Sequence, residues 1–393
     1  MSLRGKAAIA GFSETPSRKY TPGETSLGMF SKIGAQAIKD AGLDPKDIDG
    51  LLVHPVAGVP MLLPSALAEI MGLKVNFAES VDIGGASGPG MVWRAAAAIA
   101  AGMCKNCLCI TVGCRDRKGE RYDAGIDFGG PGDPTPLAEY DAPYGLAVPY
   151  VGYALIAQRY LHEYKATARQ FAKVAVDQRY NAHENPLACF QGEPLTMEDV
   201  LASPMMADPI HLLEAVMPTG GGSAVVVTSA DAAREMVHPP VYLRGAGEVC
   251  THKFITYASD LTNTAIRQSA DRAFEMAGIG REQIGLASIY DCFTVVVLLT
   301  LEDAGFCRKG EGGRFIEEHD LRFNGDFPVN SHGGQLSCGQ SGVAGGMLQL
   351  IEAVRQLQGR AGSRQIPELE AAYVNGNGGI MSEQVSLVLG VEA

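Results

Sequence analysis

Four short segments of this 393-residue chain hold the side chains whose types and spacing could do chemistry. Residues 330–342 read NSHGGQLSCGQSG and carry Asn330, His332, Cys338 and Gln340; residues 290–293 read YDCF and carry Tyr290 and Cys292. Residues 82–90, DIGGASGPG, carry Gly85 and Ser87, and residues 375–379, NGNGG, carry Asn375, Gly378 and Gly379. Tyr290 can donate a hydrogen bond to a carbonyl or, with a lowered pKa, take a proton from a β-hydroxyl. His332 is a candidate general base near neutral pH, or a histidine satisfied by backbone in a tight turn. Cys338 and Cys292 can accept an acyl group only if their thiols are acidified; otherwise they are structural. Gln340, Asn330 and Asn375 can orient carbonyl oxygens without changing charge. The turns around Gly85, Ser87, Gly378 and Gly379 can offer backbone N–H groups to a developing oxyanion, each donor worth roughly 3 kcal/mol of barrier.

Basic residues cluster further along. Arg115, Arg117, Lys118 and Arg121 stand together, and Lys253 lies alone in THKF. They are candidates for binding phosphates, or a solvated charge run.

The elements that must position these segments come in two copies. Residues 41–54, AGLDPKDIDGLLVH, align without a gap on residues 277–290, AGIGREQIGLASIY, and GASGPGM (85–91) is echoed by GQSGVAGGM (339–347). Each glycine-rich echo opens an apolar helix, where unpaired N–H groups favour an oxygen ligand. The periodicity predicts strands over 6–11, 50–54 and 107–113 and helices over 26–41, 65–72 and 88–103. The second copy repeats them as strands 240–246 and 285–290, helices 261–277, 294–304 and 345–358, and closing strands near 370–375 and 384–390. Strands and helices that alternate in this way predict an α/β fold with mixed sheets covered on both faces. The domain reading is an N-terminal half of 1–114 with 216–239, an inserted cap of 115–215, and a C-terminal half of 240–393. Within the cap, 115–150 is crowded with Gly, Pro and Asp, and helices follow near 150–164 and 167–182.

Composition narrows the class. The apolar fraction is 46% and the formal net charge is −12, a globular balance that disfavours nucleic acid and anionic membranes as partners. No run of about 18 apolar residues suggests a membrane helix. Nine cysteines with no export-type start point to free thiols and a cytoplasmic location. Cys104, Cys107 and Cys109 read as buried thiols, because a zinc site would need a second ligand pair at comparable spacing.

The ordered set of four loops, with LRGKAAIAGFSETP at the start and EAVRQLQGRAG and NGNGGIMSEQVSLVLG near the end, resembles the thiolase superfamily, in particular its sterol-carrier-protein-type branch. The resemblance implies a duplicated fold of two similar α/β halves in an α-β-α-β-α layering. It also implies coenzyme A thioesters as substrates, a homodimer core and no tightly bound cofactor. The chain departs from the family pattern at each reactive position. Gly85 stands where the nucleophilic cysteine is expected, and Gln340 stands where the histidine of G-H-P is expected. Tyr290 replaces the histidine of H-D-C-F, and Asn375 aligns with the second cysteine. Relatives of this kind pair with a small zinc-finger/OB-fold subunit, which implies zinc in a partner and no metal here.

Three readings follow. The first, favoured by family habit, is thiolytic cleavage or formation of a bulky, aromatic or polycyclic β-oxoacyl-CoA, with coenzyme A as acyl acceptor. The second is a retro-aldolase on a β-hydroxyacyl-CoA, which needs no nucleophile. The third is a noncatalytic acyl-CoA or lipid-binding subunit.

Overall fold

The structure, a computed structural model, describes residues 2–56, 59, 61–115, 137–146, 148–342 and 345–393. Its frame is a nine-stranded sheet. The strands are β1 (Ala7–Glu14), β2 (Gly50–Val53), β3 (Phe77–Ser80), β4 (Asn106–Gly113), β5 (Gly221–Ser229), β6 (Val241–Cys250), β7 (Leu286–Ser288), β8 (Ala371–Gly378) and β9 (Glu383–Gly390). They run in the order β7-β8-β9-β6-β1-β5-β4-β2-β3.

The duplication is visible in this order. The segment β3-β2-β4-β5-β1 is answered by β7-β8-β9-β6, and the two meet at a seam where Ala8 and Ile9 face Tyr242 and Val241 in antiparallel register. A bridge from Val329 to Ala287 stands where β3 stands in the first copy. The helices fall into three layers around the two halves of the sheet. α1 (Ser26–Asp40) and α2 (Leu63–Met71) cover one outer face through Phe30, Ile33 and Leu67. α3 (Ser87–Ala100) and α8 (Gly346–Leu357) fill the middle, where Met91, Val92, Leu350 and Ile351 share one buried cluster with both halves of the sheet. α6 (Ile266–Ala277) and α7 (Thr294–Asp303) cover the other outer face.

Between the halves, α4 (Pro149–Tyr164) and α5 (Ala168–His183) pack onto the second half. The Tyr160 hydroxyl donates to Glu302 on α7, and the Asn181 side-chain amide donates to the carbonyls of Val329 (3.0 Å) and Asn330 (3.3 Å). These buried polar ties make the two helices part of the wall of the second half.

Some boundaries differ from expectation for local reasons. The helix predicted from 261 begins at Ile266, because Asp260 accepts from the amides of Thr262 (2.8 Å) and Asn263 (3.1 Å) and holds a turn there. NGNGG is not a loop after the strand: β8 continues to Gly378, paired with Glu383 of β9.

Close approach of α6 to β6 depends on two glycines on one face of the strand. A Cβ at Gly245 would overlap the Ala273 carbonyl oxygen, and one at Gly247 would overlap that of Ser269. Gly245→Ala should therefore cost about 1–3 kcal/mol of stability by overpacking, read as a lowered urea midpoint.

Candidate active site

The carboxyl ends of parallel strands are where α/β folds place ligands, and the site lies there. Tyr290 follows the end of β7, and Asn377 lies in the last residues of its parallel neighbour β8, which runs on past the end of β7. A cavity of about 430 Å³ opens over them, lined by Gly85, Tyr290, Cys292, Gln340, Asn377 and Gly379 at its polar end. The α4 residues Pro149, Tyr150 and Tyr153, with Met206, Leu212 and Phe293, supply much of an apolar wall.

Tyr290 is the centre of this arrangement. A Cβ at position 85 would overlap Cε2 and Cζ of the Tyr290 ring and the carbonyl oxygen of Asn377. The phenol thus fills the volume that any side chain at 85 would need. The Gln340 side-chain amide donates to the Tyr290 hydroxyl at 3.0 Å. Gly346, at the start of α8, is also bare by necessity, since its Cβ would overlap the Gly85 carbonyl oxygen. No side chain caps the N-terminus of α3, because Ala86 stands at the capping position, and the Ser87 hydroxyl accepts from the Ile83 amide at 3.1 Å. The Ser87 amide donates to the Gly84 carbonyl, which closes a tight turn over 84–86 ahead of the helix.

The opposite wall is a hydrogen-bonded chain. Gln384 donates to the Asn377 side-chain oxygen (2.8 Å), Asn377 donates to the Tyr153 hydroxyl (2.8 Å), and Tyr153 donates to the Gly379 carbonyl (3.0 Å). Tyr153 also stacks on Phe293, with centroids 4.6 Å apart. Below Tyr290, the buried Asp291 carboxylate accepts from the amides of Gln335 (2.7 Å) and Leu336 (3.3 Å) and from Gln349 (3.0 Å). Burial pushes its pKa up to about 7 against those donors. These bonds bind the loop that carries Gln340 to the strand end that carries Tyr290.

Other sequence-picked residues lie elsewhere. Asn330 locks onto Ile289 by a two-way exchange with its backbone, accepting at 2.7 Å and donating at 2.8 Å. Ser331 donates to Glu352 at 2.7 Å, and the loop accordingly turns inward. His332 follows it into the interior, where neither ring nitrogen has a hydrogen-bond partner. Burial lowers its pKa to about 4, opposed by Glu352 and aided by Arg364 and Arg355. It does not line the cavity and cannot serve there as a base. Glu352 accepts from Arg355 (2.6 Å) and Arg364 (2.5 Å), which hold its carboxyl well below the usual range despite burial.

Cys338 is buried outside the cavity, within 3.8 Å of the Asn185 amide, and burial raises its thiol pKa. Cys292 does line the cavity, yet burial pushes its thiol up to about 12, so it is no thiolate at neutral pH. Asn375 shares the face of β8 with Asn377 but lies one pleat deeper, donating to Gln384 at 3.3 Å. Gly84 and Gly378 approach closely, with the Cβ position of one 3.1 Å from the Cα of the other. Arg115 is spent on the Pro218 carbonyl and the Tyr20 ring. Lys253 lies over the Phe254 ring (5.2 Å), and its carbonyl oxygen is 3.7 Å from the Cβ position of Gly379. Arg117, Lys118 and Arg121 fall outside the described residues. Cys104, Cys107 and Cys109 are buried, and among the described residues no cluster of His, Cys, Asp or Glu could hold a metal. No described helix is long and apolar enough to cross a membrane.

Sequence reasoning missed Tyr153, Tyr150, Asn377 and Arg179. The aromatic spacing in PYVGYALIAQRY gives a helix with one buried face, but nothing local says that this face closes a cavity in a distant segment.

This fold and this site define a thiolase-type enzyme in which the Tyr290 ring takes the volume of a side chain at position 85. Residues 247–391 match the thiolase C-terminal domain-like family. The chain is 36% identical to a steroid side-chain-cleaving aldolase of Thermomonospora curvata, over 91% of each chain. It is 35% identical to a 17-hydroxy-3-oxo-4-pregnene-20-carboxyl-CoA lyase of Mycobacterium tuberculosis, over 91% of this chain and 92% of that one. The solved Ltp2-ChsH2(DUF35) aldolase superposes with a TM-score of 0.89 at 32% identity, covering 99% of each chain. The chain belongs to the thiolase superfamily, in its sterol-carrier-protein-type branch. It is an enzyme of the thiolase/aldolase class.

Two predictions arise from this geometry. Gly85→Cys should fail to create an acylatable nucleophile, because its side chain must displace the Tyr290 ring; incubation with acetyl-CoA followed by intact-mass measurement should find no added acetyl group at position 85. His332 titrates at about 4 in the folded protein and at about 6.5 when exposed, so the unfolded chain takes the proton first. Its contribution to stability is full above pH 6.5 and lost as pH falls toward 4. Wild type should therefore lose on the order of 1–2 kcal/mol more than His332→Asn between pH 7 and pH 5, measured by urea unfolding at each pH.

Proposed function

We propose that this enzyme is a retro-aldolase that cleaves the Cα–Cβ bond of a bulky, apolar β-hydroxyacyl-CoA. Tyr290, as a phenolate stabilised by the amide of Gln340, takes the proton of the β-hydroxyl. The oxygen electrons form the new carbonyl, the Cα–Cβ pair moves onto the thioester as an enolate, and protonation at Cα releases a shortened acyl-CoA. Amides of the α3 N-terminus and the turn at Gly379 stabilise the enolate oxygen. The observation that carries this reading is the Tyr290 ring in the space of a side chain at 85, with the cavity thiol held protonated. A thiolase mechanism needs a thiolate there, and a retro-aldol step does not. Two relatives named for an aldolase and a lyase of steroid substrates support the same choice, so the favour that family habit gives thiolysis passes to aldol cleavage.

The cavity, at about 430 Å³, suits a polycyclic or aromatic acyl group in a degradation pathway, with a steroid-like framework supported by those names. Coenzyme A is the substrate's carrier, with Lys253 beside the Gly379 turn as a contact for its phosphates, and the enzyme works in the cytoplasm without a tightly bound cofactor. A homodimer core with a small zinc-finger/OB-fold partner belongs to this reading, with zinc held in the partner. The solved aldolase neighbour, named for two components, supports a partner subunit.

The test is product analysis with a β-hydroxyacyl-CoA of this class. A free ketone or aldehyde should appear together with a shortened acyl-CoA, and added free coenzyme A should not raise the rate. A rate that depends on free coenzyme A, with two acyl-CoA products from a β-oxoacyl-CoA, would establish thiolysis instead. Tyr290→Phe should lower turnover at least tenfold, within the range for lost acid–base catalysis, with an unchanged melting curve; unaltered turnover removes Tyr290 from the mechanism.

A further inference from the structure

One charged side chain, Arg179 on α5, stands among the described residues that line the cavity. It is only 6% exposed. Its Nε donates to the Ser337 hydroxyl at 3.1 Å, and its guanidinium carbon lies over the Phe190 ring, 4.0 Å from the centroid. These contacts hold the guanidinium without neutralising it. Among the described residues Arg179 forms no ion pair, and its terminal nitrogens make no hydrogen bond, although the residue lines the cavity. Glu193 attracts it only at longer range and is itself exposed.

A cation removed from water without a paired anion costs several kcal/mol, and a neutral acceptor restores hydrogen bonds but not charge balance. A guanidinium fixed by stacking and by one of its own nitrogens presents its remaining N–H groups as a fork that matches a carboxylate. The other walls on this side (Leu213, Met217 and Leu336) are apolar, and Arg18 and Lys19, which act on the nearby Cys189, are not among the described residues that line the cavity.

We propose that Arg179 determines specificity in this cavity by binding a carboxylate that the acyl group carries in addition to its thioester. This deepens the acyl-CoA reading above and rests on it for the word acyl. The enzyme then takes an acidic acyl-CoA, and the class of reaction that supplies it must leave a free carboxylate on an apolar framework, as oxidative or hydrolytic ring opening does.

The test needs no turnover, so it is independent of whether cleavage is aldol or thiolytic. The full chain is titrated calorimetrically with 4-phenylbutyrate, with the uncharged 4-phenylbutyramide, and with coenzyme A. Wild type should bind the carboxylate at least tenfold tighter than the amide. Arg179→Gln should bring that ratio to about one and leave amide binding unchanged, and Arg179→Lys should keep part of the preference, which guards against a folding defect in the first variant. Equal affinity or no carboxylate binding in wild type, or a preference that survives Arg179→Gln, overturns the proposal. So does an Arg179→Gln effect confined to coenzyme A, which would assign the arginine to phosphate instead.

Discussion

One steric exchange governs this site: the Tyr290 ring lies where a side chain at position 85 would have to go. The two residues are a matched pair, since either a side chain at 85 or the phenol can occupy the volume. With the phenol there, the polar end of the cavity is furnished by hydroxyl, amides and backbone, and Cys292, the one thiol among its described lining residues, stays protonated. The chemistry available is accordingly proton transfer and oxyanion stabilisation.

The duplicated fold explains how such a pair can be assembled. Helices α3 and α8 meet in the middle layer so closely that a Cβ at Gly88 would lie 2.7 Å from the Met347 amide nitrogen. Their N-terminal turns therefore face one another, and the first copy contributes a bare glycine turn while the second contributes the tyrosine above it. Asp291 then ties the tyrosine's strand end to the loop of Gln340, using a carboxylate that burial would otherwise protonate. The segment between the halves completes the enclosure. α4 brings Tyr153 onto the Asn377 amide, and α5 brings Arg179, so part of the apolar wall and the one charge among its described lining residues come from outside the repeated units.

Much of this was legible in the chain itself. The two aligned stretches announce two similar halves, and the glycine-rich echoes mark the helix starts that face the site, because close backbone approach restricts residue type locally. The absence of a side chain at position 85 and the presence of Tyr290 at a strand end are also sequence facts, and together they disfavour an acyl-enzyme before any coordinates are seen. What the sequence could not decide was direction. Asn330 and Ser331 bond to Ile289 and Glu352, from distant parts of the chain, and those bonds turn His332 inward. Asn375 and Asn377 share a strand face, and only the depth of the cavity separates a buried tie from a wall residue. Tyr153 and Arg179 read as ordinary helix positions until α4 and α5 fold over the second half. Residue type and period are local properties, so the chain states them outright; which side chains share a cavity depends on contacts between segments far apart in sequence, and those exist only once the layers have packed.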